Sequence, residues 1–132
     1  MLTVLKGIGA VLAGLMTGMV VVMALTYLAA LFLFEGDLAA PPTGPYLMLN
    51  ISYSFGAATL AGWVAGRLAG SRPFMHATGV AVLMLMLSSG GGSSPGVGVP
   101  GWYNPALTIL MPVGALVGGW LRARAANEPT PV

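Results

Sequence analysis

The chain of 132 residues contains no cysteine. Without thiols it cannot form a disulfide, bind a metal through thiolates or use a thiol nucleophile. Charge is almost as scarce, because Lys, Arg, Asp and Glu together make up only 6% of the residues. Soluble domains have about 25% charged residues, which cover their wetted surface. The outer surface of this chain is therefore expected to face lipid or another protein.

Acidic groups are few, and they lie outside the apolar segments. The three acids are Glu35, Asp37 and Glu128, and His76 is the one histidine. Catalysis by paired carboxylates, a serine–histidine–acid triad and an ion-coupled pump are not supported by this set. Five cations are too few for a nucleic-acid footprint. We expect neither an enzyme, nor a metal site, nor a nucleic-acid partner.

Apolar residues are abundant, at 57% of the chain, and the mean hydropathy is +0.89. Long uncharged runs of this kind predict membrane-spanning helices. The spans are expected at about 7–34, 46–66, 74–89 and 106–121, with a flexible Gly/Ser/Pro loop at 88–101 and a short tail at 122–132. The first run greatly exceeds a signal-peptide core of about 7–15 residues, so we interpret it as a retained helix.

The fold class predicted is all-α, an integral membrane four-helix bundle forming a single transmembrane domain over residues 1–132. The third and fourth segments are short for a hydrocarbon core of about 30 Å. A re-entrant hairpin made of these two segments therefore remains an alternative. Four full crossings are favoured, because irregular backbone exposed to lipid is costly.

The cations indicate an orientation. With four crossings, all five fall on one side of the membrane: Lys6, Arg67, Arg72, Arg122 and Arg124. The positive-inside rule then places both termini in the cytoplasm. The second and fourth segments end in the related sequences GWVAGR and GGWLR, so Trp63 and Trp120 are expected to anchor the same interface. We expect a multi-pass protein of the bacterial inner membrane.

Glycine recurs every fourth residue in GWVAGRLAGSRP, at Gly62, Gly66 and Gly70. A phosphate-binding P-loop ends in GK[ST], and no lysine is present here. Residues four apart instead share one helix face, and small residues there allow another helix to approach closely. The predicted helix-packing residues are Gly14, Gly18, Ala58, Gly62, Gly66, Gly70, Gly114 and Gly118. Their number suggests that some contact a second protein.

Three further features, a histidine, an asparagine and a group of methionines, each allow two interpretations. His76 could bind a haem or pigment, but an interfacial residue hydrogen-bonded near Arg72 or Arg67 is the favoured interpretation. Asn50 is the most polar residue within a span, and either bonds to another helix or lines a small aqueous path. Met16, Met19 and Met23 share one helix face, where filling gaps is favoured over Cu(I) binding. No cofactor is predicted apart from bound lipid.

The motifs GWVAGRLAGSRPFMHA, PGW and MPVGALVGGWLR resemble a loose class of uncharacterised small bacterial four-span inner-membrane proteins. The resemblance covers mainly the second half of the chain and implies no activity. From the residues, we expect a non-catalytic accessory or assembly subunit of a larger respiratory or photosynthetic complex, docking through its glycine-rich helix faces. The alternative is a small transporter or channel that works as a homo-oligomer. Membrane lipid and other membrane-protein subunits are the expected partners.

Overall fold

A computed structural model describes residues 1–90 and 98–127 of the chain. It contains four helices: α1 (Leu2–Leu33), α2 (Gly44–Ala69), α3 (Pro73–Gly90) and α4 (Tyr103–Asn127). No strand occurs in these two ranges, which confirms the predicted all-α class.

Local sequence explains where the middle helices begin and end. Thr43 has an extended backbone and precedes α2, and Pro45 lies in the first turn, where a missing N–H costs little. Gly70 ends α2 with a left-handed φ of 74°. Pro73 then opens α3. A turn of three residues therefore reverses the chain between α2 and α3.

The predicted packing role of Gly70 differs from its place in the structure. A Cβ atom added at Gly70 would meet no heavy atom within 4 Å, so no other helix lies against it. Its left-handed φ is instead the conformation that glycine adopts at the end of a helix. Gly70 therefore terminates α2, while the other predicted glycines lie within helices.

The helices extend further than the predicted apolar segments. Helix α1 begins at Leu2, and α4 continues to Asn127, so residues 122–127 of the predicted tail are helical. The predicted flexible loop at 88–101 overlaps the end of α3, and its residues 91–97 lie outside the described residues, as do residues 128–132 of the tail. At 25 residues, α4 is about 38 Å long, well beyond its predicted apolar core.

Helix α2 lies at the centre of the bundle. It packs most extensively against α1 and α4 and less extensively against α3, while α3 also packs along α4. Helices α1 and α3 have only a small contact, and α1 does not approach α4 within the described residues. The packing order around the bundle is thus α1, α2, α4, α3, with the side between α1 and α3 left open.

Successive helices run antiparallel, so the chain has two distinct ends. The start of α1, the end of α2, the start of α3 and the end of α4 meet at one end, where Gly7 adjoins His76 and Gly66 adjoins Arg122. We call this the basic end, because Lys6 and all four arginines belong to it. Glu35 and Asp37 lie at the opposite end, between α1 and α2.

The core consists mostly of small side chains. Ala58, Ala61, Ala65 and Ala115 are fully buried, and Val80 is the largest side chain with no significant exposure. Small residues bring helix axes close together, so contact between backbones replaces the interdigitation of large side chains. Large apolar residues lie mainly on the outside of the bundle.

By length and composition, α1 and α4 could each cross a membrane. Helix α3 is apolar but shorter, with an uncharged stretch from Pro73 to Ser89. Central helix α2 is not among the helices apolar enough to cross, and its inward face contains Asn50, Ser54 and several glycines. Burial of that face hides the polar groups from the surroundings of the bundle.

Candidate functional site

The closest helix contact joins α2 and α4 through two glycines. A Cβ atom at Gly62 would overlap the carbonyl oxygen of Ala115 and lie 2.7 Å from its carbonyl carbon. A Cβ atom at Gly118 would likewise overlap the carbonyl oxygen of Thr59 and lie 2.8 Å from the amide nitrogen of Trp63. Each helix thus places a glycine on a backbone carbonyl of the other. This geometry is typical of weak Cα–H···O hydrogen bonds between helices.

Helix α1 uses its two predicted glycines in the same way against α2. A Cβ atom at Gly14 would lie 2.5 Å from the carbonyl oxygen of Ala61 and 2.8 Å from the Cβ of Ala65. A Cβ atom at Gly18 would lie 2.9 Å from the Cβ of Ala61. Because Gly14 and Gly18 are both buried, the glycine face of α1 is turned toward α2.

Gly66 and Gly114 of the predicted set also face this chain, whereas Gly70 does not. A Cβ atom at Gly66 would lie 2.8 Å from Pro73 Cβ and 3.3 Å from Arg122 Cγ. One at Gly114 would lie 2.9 Å from the carbonyl oxygen of Phe55 and 3.1 Å from Cβ of Ala58. The glycine faces therefore close the bundle internally and are not available to a second protein.

Two close contacts escaped sequence reasoning. Gly119 is buried against Ala77 of α3, and Gly7 contacts the imidazole of His76. The two consecutive glycines before Trp120 could have indicated the contact with α3, since Gly118 packs against α2 and Gly119 packs against α3. By contrast, Gly9 and Gly56 lie inside helices with nothing within 4 Å of an added Cβ atom. These two glycines are on the outer surface.

Asn50 lies in a cluster of hydrogen-bonding side chains at the end opposite the basic end. Its amide nitrogen donates to Tyr53, and its amide oxygen accepts from Tyr103 of α4. Ser54 donates to the same oxygen at 3.4 Å, and the Tyr53 hydroxyl lies 2.8 Å from the Thr26 hydroxyl of α1. The cluster therefore joins α1, α2 and α4.

The Asn50 cluster does not continue into the middle of the bundle, where the buried residues of α2 are mostly alanines. Asn50 and Ser54 are buried, with exposed fractions of 9% and 3%, and the next buried residues along α2 are Ala57, Ala58 and Ala61. Of the two interpretations of Asn50, bonding to another helix fits this geometry. The sequence identified Asn50 but missed its partner Tyr103, whose helix follows in the chain only after 53 residues.

His76 lies one turn inside α3, beside the start of α1. Its Nδ1 is 3.1 Å from the carbonyl oxygen of Arg72, which requires the proton to be on Nδ1. Its Nε2 faces Gly7, where a Cβ atom would come within 2.9 Å. The hydrogen bond to Arg72 is the one expected in the favoured interpretation of His76. These two contacts, with Arg72 and with Gly7, fix the orientation of the His76 ring.

Two arginines at the basic end stack on tryptophans of their own helices. The guanidinium carbon of Arg67 lies 5.1 Å from the Trp63 ring centroid, and that of Arg124 lies 5.3 Å from the Trp120 ring. In both α2 and α4, a tryptophan and the arginine four residues after it thus form a cation–π pair. Arg122 differs, because its stem packs beside Gly66 and its Nε is buried without a hydrogen-bond partner among the described residues.

The methionines of α1 are not core fillers in the structure. Met16, Met19 and Met23 are all exposed, on the outer side of the helix. Met19 and Met23 border an apolar crevice of about 250 Å³ that also includes Met84 and Met111. Residues 1–90 and 98–127 contain no group of three or more His, Asp or Glu side chains that could hold a metal ion.

Comparison of the chain with protein-family models, curated proteins and solved structures gives no match.

Proposed function

We propose that this protein is a four-span integral membrane protein with its basic end in the cytoplasm. The gathering of Lys6 and the four arginines at one end of the bundle supports this orientation, because cytoplasmic segments carry an excess of cations. Exposed Leu, Ile, Val, Met and Phe side chains cover the outside of the helices, as expected for contact with lipid. The start of α1 and the end of α4 are then both cytoplasmic.

The composition of α2 also supports four crossings. Asn50, Ser54 and most of its small residues are turned inward, so a helix of moderate mean hydropathy can still present a largely apolar exterior to the bilayer. The Asn50 cluster satisfies the side-chain hydrogen bonds that would be costly if they were left unpaired in hydrocarbon. At 18 residues, α3 is about 27 Å long, close to the thickness of a thin bilayer core.

Within such a membrane we propose a non-catalytic role, as an accessory or assembly subunit of a larger bacterial inner-membrane complex of respiratory or photosynthetic type. The observation that carries this proposal is the presence of small residues on the outside of the bundle, at Gly9 and Gly56, where an added Cβ atom would meet nothing within 4 Å. The contact between α2 and α4 at Gly62 and Gly118 closes the bundle itself. The closed bundle then presents an apolar exterior to neighbouring helices.

The docking surface in this proposal is the exterior of the bundle, because the predicted glycine faces are used internally. Close approach by a partner helix requires small residues that face outward. Gly9 of α1 and Gly56 of α2 meet this requirement. A glycine-mediated contact with a second protein would therefore be located at one of these two positions.

The orientation can be tested with single cysteines, since the chain has none of its own. We expect Ala39→Cys, in the loop between α1 and α2, to react with a membrane-impermeant maleimide added to intact cells. Ser71→Cys, in the turn after α2, should react only after the cells are permeabilised. The reverse pattern would refute the proposed orientation, and labelling of both in intact cells would refute the crossing of α2.

The subunit role can be tested by purification in a mild detergent. We expect larger membrane proteins to accompany the chain in a fixed ratio, and Gly9→Leu or Gly56→Leu to remove them without unfolding the bundle. Gly62→Leu serves as the contrasting variant, because it should disrupt the bundle itself. A chain that purifies alone as a discrete homo-oligomer contradicts the subunit role and favours the transporter. If both outer variants keep the partner, docking through glycine is refuted.

A further inference from the structure

The open side of the bundle between α1 and α3 forms a groove of about 1100 Å³. Ligand pockets commonly measure about 300–1000 Å³, so this groove is large enough for a substantial molecule. It exists because α1 and α3 have only a small contact, which includes Gly7 beside His76 and Gly79 beside Val11. A Cβ atom at Gly79 would lie 3.2 Å from a methyl group of Val11, so the floor of the groove is closed there.

The two ends of this groove differ in chemistry. At the basic end it is lined by Lys6, Ser71 and Arg72, together with the His76 ring. Farther along, the walls are apolar and include Val82 and Met86. The groove is therefore cationic and hydrogen-bonding at one end and apolar over the rest of its length.

Within the described residues, no carboxylate lies beside the cations at the basic end of the groove, which we call its mouth. The two acidic side chains of the described residues, Glu35 and Asp37, lie at the opposite end of the bundle. Arg67 and Arg124 stack on tryptophans, whereas Lys6 and Arg72 have neither a salt bridge nor an aromatic partner in the described part of the chain. The charge at the mouth is complementary to a phosphate group.

The apolar length of the groove matches one leaflet of a bilayer. From Met75 to Met86 the wall formed by α3 rises about 16 Å at 1.5 Å per residue. Half of a hydrocarbon core of about 30 Å is about 15 Å. A molecule with a phosphate at the basic end and an extended apolar chain of that length would fill the groove.

We propose that the groove between α1 and α3 binds an anionic phospholipid of the cytoplasmic leaflet, with its phosphate at Lys6 and Arg72 and an acyl chain along Val82 and Met86. This inference rests on the membrane orientation given under the proposed function. It adds a specific lipid site, with charge selectivity, to that role. The imidazole of His76 and the hydroxyl of Ser71 lie at the mouth as additional polar groups.

The experiment is native mass spectrometry of the purified, detergent-solubilised protein titrated with phosphatidylglycerol or with zwitterionic phosphatidylcholine. A cation near a membrane surface is worth about 1 kcal/mol toward anionic lipid, so two cations predict about a 30-fold preference for phosphatidylglycerol. The double variant Lys6→Gln/Arg72→Gln should bind the two lipids equally. Val82→Trp should weaken binding of both, because it fills the apolar part of the groove.

The matched control is Arg67→Gln/Arg124→Gln, which removes the same charge from the same end but leaves the groove intact. It should keep the preference for phosphatidylglycerol. Equal binding of the two lipids by the unmodified protein would overturn the site, as would an equal loss in the control variant. Displacement of the lipid by glycerol 3-phosphate at similar concentration would also overturn it, because the site would then bind a free phosphate. Circular dichroism of each variant checks that the helices are intact.

The outcome is independent of the subunit role. Partner co-purification and cysteine labelling do not require the groove to be occupied, so a protein that passes both and shows no lipid preference refutes the lipid site alone. Conversely, a homo-oligomer that prefers phosphatidylglycerol retains the lipid site and loses the subunit role.

Discussion

The contact between Gly62 and Ala115 predicts that one added methyl group weakens the whole bundle. In Gly62→Ala the new Cβ atom would overlap the Ala115 carbonyl oxygen and lie 2.7 Å from its carbonyl carbon and 2.9 Å from its Cα. Real Cβ atoms do not approach closer than 3.0 Å, and all three neighbours are backbone atoms that cannot rotate away. Helices α2 and α4 must therefore move apart along their interface.

The expected magnitude follows from three terms. Forcing an extra methyl group into a packed interface costs about 1–3 kcal/mol. Loss of the Cα–H···O contact costs about 0.5–1 kcal/mol. The higher helix propensity of alanine returns about 1 kcal/mol. We expect Gly62→Ala to lower the free energy of unfolding by about 0.5–3 kcal/mol. A change of about 1–2 kcal/mol within this range shifts the folding equilibrium about 5- to 30-fold.

Gly56→Ala is the matched control, because it makes the same substitution in the same helix where an added Cβ meets nothing within 4 Å. It should be neutral or stabilising by up to about 1 kcal/mol. The assay is unfolding of the purified protein by SDS in mixed micelles, followed by far-ultraviolet circular dichroism. Equal midpoints for the two variants would refute the conclusion that backbone contact between α2 and α4 holds the bundle together.

Two further substitutions test local features in the same unfolding assay. Asn50→Leu should lower the free energy of unfolding by about 1–2 kcal/mol, because it removes the acceptor of the Tyr103 hydrogen bond. Side-chain hydrogen bonds between membrane helices contribute about 0.6 kcal/mol each on average and up to about 1.7 kcal/mol. Ser52→Ala, at an exposed position of the same helix, should be neutral, and an equal effect of the two variants would contradict this role of Asn50. Gly70→Ala should cost about 1–2 kcal/mol through its left-handed φ of 74°, whereas Gly101→Ala, with open space and no positive φ, should not. Equal stability of those two variants would show that the end of α2 does not depend on this conformation.

The all-α class, the approximate places of the helices and the side on which the cations gather could be predicted from the sequence. These features depend on hydropathy and on charge counted along the chain, which are local quantities. The pairing of Arg67 with Trp63, four residues away, is local in the same sense, but the sequence analysis did not predict it. Gly70 shows the limit of such reasoning, because a spacing of four residues continues past the end of the helix.

The tertiary structure decided which helix each small residue contacts. Periodicity assigns Gly62 and Gly118 to faces, but only the arrangement of α1, α2, α4 and α3 around the bundle places each glycine on a carbonyl of the other helix. The same arrangement brings Tyr103 to Asn50 and leaves α1 and α3 apart, which creates the groove. The sequence alone determined that the helices pack closely, because small side chains permit it. The choice of partner depends on the fit of whole helix surfaces distant in the chain, which no local pattern encodes.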